Sequence, residues 1–210
     1  MKGANLSDSV YDPWANITTR NGIQGDLVIS ALQKSIRRGL TEKAVTFAYE
    51  MYITSEQFED KLWRRLQAIS VEDVGFGDLS APVLINTLNL MRQNFPYADG
   101  DRPLFFVHAI RYLSTAKKDR TSDNLKNIVK FESAHGRVPE VPDFALDKHT
   151  EQGRAMGRDL KHFLEEGSRL ENEIPVEENY RSRLLDLIDS IEKEEVKPVS
   201  NAFTYDGWQA

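Results

Sequence analysis

Apolar residues that recur at intervals of three and four along most of the chain constrain its fold more than any other feature. Val28, Leu32 and Ile36 form one such line, and Leu62 and Leu66 belong to another. These intervals place side chains on one face of an α-helix, whereas a half-buried strand alternates every second residue. No stretch of the sequence shows the alternation of a strand. We therefore predict an all-α fold, built as a multi-helix bundle with an additional C-terminal helical hairpin.

Eight helices follow when this spacing is combined with the residues that begin and end helices. The predicted spans are 26–38, 41–53, 55–69, a helix from 80, 102–116, 121–135, 150–166 and 177–195. Asp26 is expected to cap the first helix and Ser55 the third, and Gly39 to end the first. The fifth helix is expected to bury its line of apolar residues, Leu104, Val107, Ile110 and Leu113.

The predicted helices divide the chain into four parts. Residues 1–22 form an irregular N-terminal segment, 23–136 a helical domain, 137–196 an extended connection with C-terminal helices packing on that domain, and 197–210 a tail. A chain of 210 residues is long enough for one good core but too short for several independent domains.

Composition excludes several classes of protein. There is no cysteine, which excludes disulfides, thiolate nucleophiles and cysteine metal sites. The 27 basic and 33 acidic residues give a net charge of −6, which argues against attraction of the whole surface to nucleic acid or to an anionic membrane. No apolar run is long enough for a signal peptide or a membrane span. We expect a soluble, cytoplasmic protein without membrane contact and without a cofactor.

Two short segments carry charges whose role has more than one explanation. Lys34, Arg37 and Arg38 fall in the last turn of the first helix, where positive charge complements the free carbonyls, so ordinary helix-end charge is the favoured interpretation. In the turn SVEDVGFGD, residues 70–78, Ser70 and Asp73 form a predicted capping pair. The alternative is a cation or partner loop through the three acidic residues of this turn, Glu72, Asp73 and Asp78.

Three ordered blocks of the sequence resemble a known family. These are DLVISALQKSIRRG at 26–39, LWRRLQAISVEDVG at 62–75 and HAIRYLSTAKK at 108–118. They are similar to successive parts of the helical C-terminal region of the RarA (MgsA) family, which are AAA-type ATPases related to the Werner helicase-interacting protein. The similarity covers roughly residues 23 to 130. It implies a collar-like helical bundle that joins subunits, as tetramers, in the maintenance of replication forks and in recombination.

The chain also departs from that family. No G-x-x-x-x-G-K-[ST] motif occurs, so the phosphate cradle, its lysine and the hydroxyl for magnesium are all missing from this sequence. Gln33 stands where the family commonly has a histidine, and Lys117 where it tends to have a proline. The resemblance therefore implies assembly and partner contact rather than ATP hydrolysis.

The strongest local positive charge lies in residues 102–130, with seven basic residues against two acidic ones. By contrast, residues 165–195 hold four basic residues against eleven acidic ones. If the segment around Lys117, Lys118 and Arg120 is a loop between two outward-facing helix ends, it would hold DNA phosphates in a salt-sensitive manner. The alternative is a basic face that is solvated or neutralised within the molecule.

The predicted helix at 150–166 carries a second group of charges. Gly153 and Gly157 are four residues apart, as are Arg154 and Arg158, which would give a bare stripe for close packing or a paired-guanidinium stripe for anions. The same helix would place Asp159, His162, Glu165 and Glu166 at intervals suited to a divalent metal or an acid and base pair. The favoured interpretation is a solvated face with one histidine packed at its edge.

These patterns favour a non-catalytic oligomerisation and interaction module linked to DNA replication, recombination or repair. A homo-oligomer, most simply a tetramer, would contact a replication-fork or recombination protein, or DNA. The predicted contact residues are Arg64, Arg65, Lys117, Lys118, Arg120, Arg154 and Arg158. The alternative is a small helical enzyme that acts on a phosphorylated substrate through Arg154, Arg158, His162 and Glu166.

Overall fold

The computed structural model describes residues 12–177, 179–197 and 199–203, and within them all regular structure is helical. The α-helices are α1 Gly25–Arg37, α2 Thr41–Thr54, α3 Glu56–Ile69, α4 Ala81–Arg92, α5 Arg102–Thr115, α6 Thr121–Ala134, α7 Glu151–Ala155, α8 Leu160–His162 and α9 Tyr180–Glu192. Short 3₁₀ turns lie at Pro13–Asn16, Gly75–Gly77 and Asp143–Ala145, and π-helical turns at Ser70–Val74 and Phe163–Gly167. The all-α prediction is confirmed.

The first of two compact units runs through Arg137 and contains α1 to α6. In it α2 packs against α1, α3 and α5, and α4 packs against α5. Its core is apolar and includes fully buried residues from each of the first five helices, among them Val28, Leu32, Ile36, Met51, Leu62, Trp63, Leu66, Ile85, Phe106, Ile110 and Leu113. The lines of residues that predicted α1 and α3 are therefore the lines that these helices bury.

The helix starts differ from the prediction in detail. Ser55 caps α3 as expected, because its hydroxyl accepts a hydrogen bond from the Phe58 N–H at 3.2 Å. Asp26 does not cap α1: it lies inside the first turn and accepts from the adjacent Leu27 N–H, while Gln24 occupies the cap position. An acidic side chain in the first turn still complements the positive end of the helix dipole.

The buried face of α5 is rotated relative to the prediction. Phe106, Ala109, Ile110 and Leu113 are fully buried, whereas Leu104 is 61% exposed. The helix is apolar on two sides, so spacing alone does not decide which side faces the core. Packing against α2 and α4 selects the side that carries the large Phe106 ring.

The turn at residues 70–78 is shaped by the loop that joins α5 to α6. The Asp119 N–H donates to the carbonyl of Asp73 at 3.0 Å. A Cβ atom on Gly75 would lie 2.4 Å from the Asp119 carbonyl oxygen, and one on Gly77 would lie 2.5 Å from that of Lys117. Both glycines are therefore required for close backbone approach, and Gly75 also has a φ of +51°.

The second compact unit begins at Val138 and contains α7, α8 and α9. The predicted continuous helix at 150–166 is wrong. It stops at Ala155, Gly157 has a φ of +73°, and α8 starts anew after Asp159, which accepts a hydrogen bond from the His162 N–H at 3.0 Å. Lys161 of α8 pairs with Asp189 of α9 at 2.7 Å.

No helix in the described part of the chain is long and apolar enough to cross a membrane.

Candidate interaction surfaces

Asp73, in the π-helical turn after α3, is fully buried and collects basic side chains from distant parts of the chain. The Arg37 Nε–H donates to Asp73 at 2.6 Å, and Arg120 donates to the same carboxylate. Glu72 lies 3.4 Å from both Arg37 and Arg65. We call these five residues the Asp73 cluster. Lys34 and Arg37 lie in the last turn of α1, as predicted, and Arg37 in addition binds Asp73. The predicted capping pair of Ser70 and Asp73 is wrong, because the Ser70 hydroxyl donates to the Gln67 carbonyl.

Two of the basic side chains in the loop between α5 and α6 are bound by other groups of the protein. The Lys118 ammonium donates to the carbonyls of Leu113 and Ala116, both at 2.6 Å, and thereby closes the end of α5. Burial lowers the pKa of Lys118. Arg120 belongs to the Asp73 cluster. Of the three predicted contact residues in this loop, Lys117 alone has an exposed side chain.

The start of α6 is likewise occupied. Asp119 accepts a hydrogen bond from the Thr121 N–H at 2.7 Å, and hydrogen bonds from Thr121 hold the pKa of Asp119 below its ordinary value. A carboxylate at this position repels phosphate from the amides of the first turn. The Thr121 amide is thus used within the molecule, which favours the alternative of a basic face that is neutralised internally.

Arg64 and Arg65 are neighbours in α3 but point to different surroundings. Arg65 donates to the Gln33 side-chain oxygen and pairs with Glu72. Arg64 is exposed and donates only weakly, at 3.3 Å, to the Asp60 carbonyl. Among the predicted contact residues of the first unit, Arg64 and Lys117 are the two that face solvent.

The break in the helix separates the predicted charges of the second unit. Arg158 holds Asp143 through two contacts of 2.6 and 2.8 Å, while Arg154 donates to the Lys148 carbonyl at 3.1 Å. The two guanidinium groups therefore do not form one stripe. Close packing explains Gly153, since a Cβ there would lie 2.0 Å from the Asp147 carbonyl oxygen.

His162 and Glu166 are placed on a short helix and the π-helical turn that follows it, not on a helix with the arginines. No group of three or more histidine, aspartate or glutamate side chains in the described residues is arranged to hold a metal ion.

A buried ion cluster that the sequence analysis missed fixes α4 and α5 on α3. Glu59 is fully buried, and Arg102 of α5 donates to its two oxygens at 2.9 to 3.2 Å. Arg92, at the end of α4, lies 3.0 Å from the same carboxylate. Glu59 lies three residues before Leu62 and seven before Leu66, on the buried line of α3. A carboxylate on the buried line of a helix needs a partner of opposite charge, so this position in the sequence could have indicated the cluster.

Three large apolar side chains of α6 are exposed to solvent instead of packing on the rest of the first unit. All residues of α6 are at least partly exposed, and Leu125, Ile128 and Val129 are 62%, 52% and 56% exposed. The more shielded residues of this helix include Asp123, which is bound to Arg120. The helix is thus held to the unit by its polar side, and we call Leu125, Ile128 and Val129 the α6 stripe.

No protein-family model matches this chain, and no curated protein matches it. The resemblance to the C-terminal region of the RarA/MgsA family therefore stays a prediction from the sequence.

Proposed function

We propose that this chain is a non-catalytic interaction module that assembles with copies of itself, as a tetramer, and works in DNA replication, recombination or repair. The observation that carries the assembly part is the exposed α6 stripe. The resemblance of residues 23–130 to the C-terminal region of RarA/MgsA ATPases supports the cellular context.

The α6 stripe supports self-assembly because it places the apolar side of a surface helix toward solvent. An amphipathic helix on a globular protein ordinarily turns its apolar side toward the core. Here the Arg120–Asp123 ion pair faces the unit and Leu125, Ile128 and Val129 face solvent. A contiguous exposed apolar surface is typical of a contact with another molecule.

Assembly would serve binding by multivalency. Several copies held together raise the effective concentration of weak sites for a shared partner, so that the assembly binds more tightly than one copy does. Exposed cations such as Arg64 and Lys117 are repeated in every copy and are suited to such weak, salt-sensitive contacts.

The alternative, an enzyme that acts on a phosphorylated substrate, has weaker support from the geometry. It requires Arg154, Arg158, His162 and Glu166 along one continuous helix. The break at 156–158 separates them, and Arg158 is already neutralised by Asp143.

Light scattering behind size-exclusion chromatography tests the assembly. We expect a mass of about 96 kDa, four times the 24.0 kDa of one chain, that changes little with salt because the proposed contact is apolar. The double variant Leu125→Asp and Ile128→Asp should give smaller species. The matched control Lys130→Asp introduces the same side chain at an exposed position of α6 outside the stripe and should leave the mass unchanged.

A wild-type chain that elutes as a monomer at both low and high salt contradicts the proposal. So does a tetramer that the double variant leaves intact. A shift of forked DNA that weakens with rising salt, and that Lys117→Glu reduces, would support the replication context.

A further inference from the structure

The hairpin of α4 and α5 has an unusual composition for this chain. The protein has more acidic than basic residues, yet neither Ala81–Arg92 nor Arg102–Thr115 contains an aspartate or a glutamate. Both helices nevertheless expose large apolar side chains, with Val83 at 69%, Leu90 at 57% and Leu104 at 61%. Few charges together with exposed apolar side chains are typical of the centre of a binding surface.

A groove of about 350 Å³ lies between these two helices. It is lined by Leu88 of α4 and by Leu104, Phe105, Val107, His108 and Arg111 of α5. Four of these six side chains are apolar, so the groove offers space for a bulky apolar group. His108 and Arg111 are exposed and supply its polar atoms.

The positive charge of this groove is that of Arg111, and neither α4 nor α5 contains an acidic residue that could neutralise it. The other arginines of α4 and α5, Arg92 and Arg102, turn inward and pair with Glu59. The Arg111 carbonyl accepts a hydrogen bond from the Thr115 hydroxyl at 3.0 Å, but the Arg111 guanidinium has no hydrogen bond or ion pair with any residue that the structure describes. Its guanidinium is therefore available to a carboxylate, for which a planar two-donor group is well suited.

We propose that this groove binds a short acidic peptide segment of a partner protein, one that carries a bulky apolar side chain beside carboxylates. The apolar side chain fills the space between Leu88, Leu104 and Val107, and a carboxylate pairs with Arg111. The inference rests on the proposed function in one respect, that the chain is an interaction module, and it names the chemistry of the partner.

Fluorescence anisotropy with the full chain and labelled synthetic peptides tests the proposal. The probe is the peptide Asp-Glu-Leu-Phe-Asp-Glu with both ends blocked. One comparison peptide replaces its acidic residues with lysine, and another replaces Leu-Phe with Ser-Ser. We expect binding of the first peptide, weakening as salt is raised from 50 to 500 mM, and at least tenfold weaker binding of both comparison peptides.

Variants of the chain locate the site. Arg111→Glu and Leu104→Asp should each weaken binding of the acidic peptide at least tenfold, and both replace exposed side chains. Lys130→Glu is the matched control, since it reverses an exposed positive charge on α6, and it should change the affinity less than twofold. Circular dichroism of each variant confirms that a loss of binding is not a loss of fold.

The proposal is overturned if the acidic peptide does not bind, if Arg111→Glu leaves its affinity unchanged, or if the lysine peptide binds equally well. It is also overturned if Leu104→Asp converts an oligomeric chain to a monomer, because a second copy then occupies the groove. Light scattering of the wild-type chain distinguishes a failure of this proposal from a failure of the proposed assembly, because it measures the oligomeric state without the peptide. A monomer that binds the acidic peptide refutes the assembly and supports the groove.

Discussion

Replacing Glu59 with glutamine removes a buried negative charge that holds α4 and α5 against α3. The side chain of Glu59 is 1% exposed, and those of Arg92 and Arg102 are 7% and 11% exposed. Both guanidinium groups remain charged after the substitution and have little access to water. We therefore expect Glu59→Gln to be among the most destabilising single substitutions at the interface of α3, α4 and α5.

The magnitude follows from the burial. Removing one partner of a buried ion pair costs about 3–5 kcal/mol, because the remaining charge is left uncompensated. Glutamine keeps the volume and one accepting oxygen, and Arg92 keeps its contact with Asp60 at 2.9 Å, which places the loss near 3 kcal/mol. For a chain of 150–250 residues each kcal/mol lowers the melting temperature by roughly 2–4 °C. The expected decrease is therefore about 6–12 °C.

Asp60→Asn is the matched control. Asp60 is the next residue along α3 and pairs with the same Arg92, but its side chain is 61% exposed. Exposed ion pairs contribute about 0–1 kcal/mol, so this variant should melt within about 4 °C of the wild type. Thermal unfolding followed by circular dichroism compares the two. Equal melting temperatures for Glu59→Gln and Asp60→Asn would refute the argument that burial decides the cost.

Three further predictions concern other contacts. Asp73→Asn should lower the free energy of unfolding in urea by about 1.5–3 kcal/mol, because two arginines lose a charged acceptor; a change below about 0.5 kcal/mol would contradict the role of the Asp73 cluster. Gly77→Ala should cost about 1–3 kcal/mol, since its Cβ would meet the Lys117 carbonyl at 2.5 Å, whereas Gly100→Ala, with open space around it, should melt close to the wild type. Burial raises the pKa of Glu50, but hydrogen bonds from residues 19 and 21 outweigh it and hold that pKa below its ordinary value. Glu50 therefore stabilises the fold above about pH 4.3, the usual unfolded value, and this contribution disappears as the pH falls through the lower folded value; urea titrations from pH 6 to pH 3 should show a smaller loss for Glu50→Gln.

The helices of the first unit follow closely from local sequence. The predicted third helix, 55–69, is observed as Glu56–Ile69 with Ser55 as its cap, and the predicted sixth, 121–135, as Thr121–Ala134. Apolar periodicity and capping hydrogen bonds act within four residues, so they are visible in the sequence. The prediction of one helix at 150–166 was wrong. Its apolar and polar pattern is compatible with a helix, but Gly157 adopts a φ of +73° and the Arg158 N–H donates to the Gly153 carbonyl, which ends α7.

The candidate surfaces were less accessible from the sequence. It indicated that Lys117, Lys118 and Arg120 form a basic segment, but not that Lys118 closes α5 or that Arg120 binds Asp73, 47 residues away. Partners at that separation depend on how helices pack, which residue spacing does not specify. The same limit applies to the α4–α5 groove, because Leu88 of α4 meets residues 104–111 of α5 only when the two helices pack.

The sequence by itself determined that this chain is helical, where most of its helices begin and end, and which faces of α1 and α3 are buried. Tertiary structure decided which of the two apolar sides of α5 faces the core, which charges are neutralised internally and which remain free. The physical reason is the separation along the chain over which each interaction acts. Helix formation and capping depend on neighbours along the chain, whereas ion pairing and exposure depend on atoms that only folding brings together.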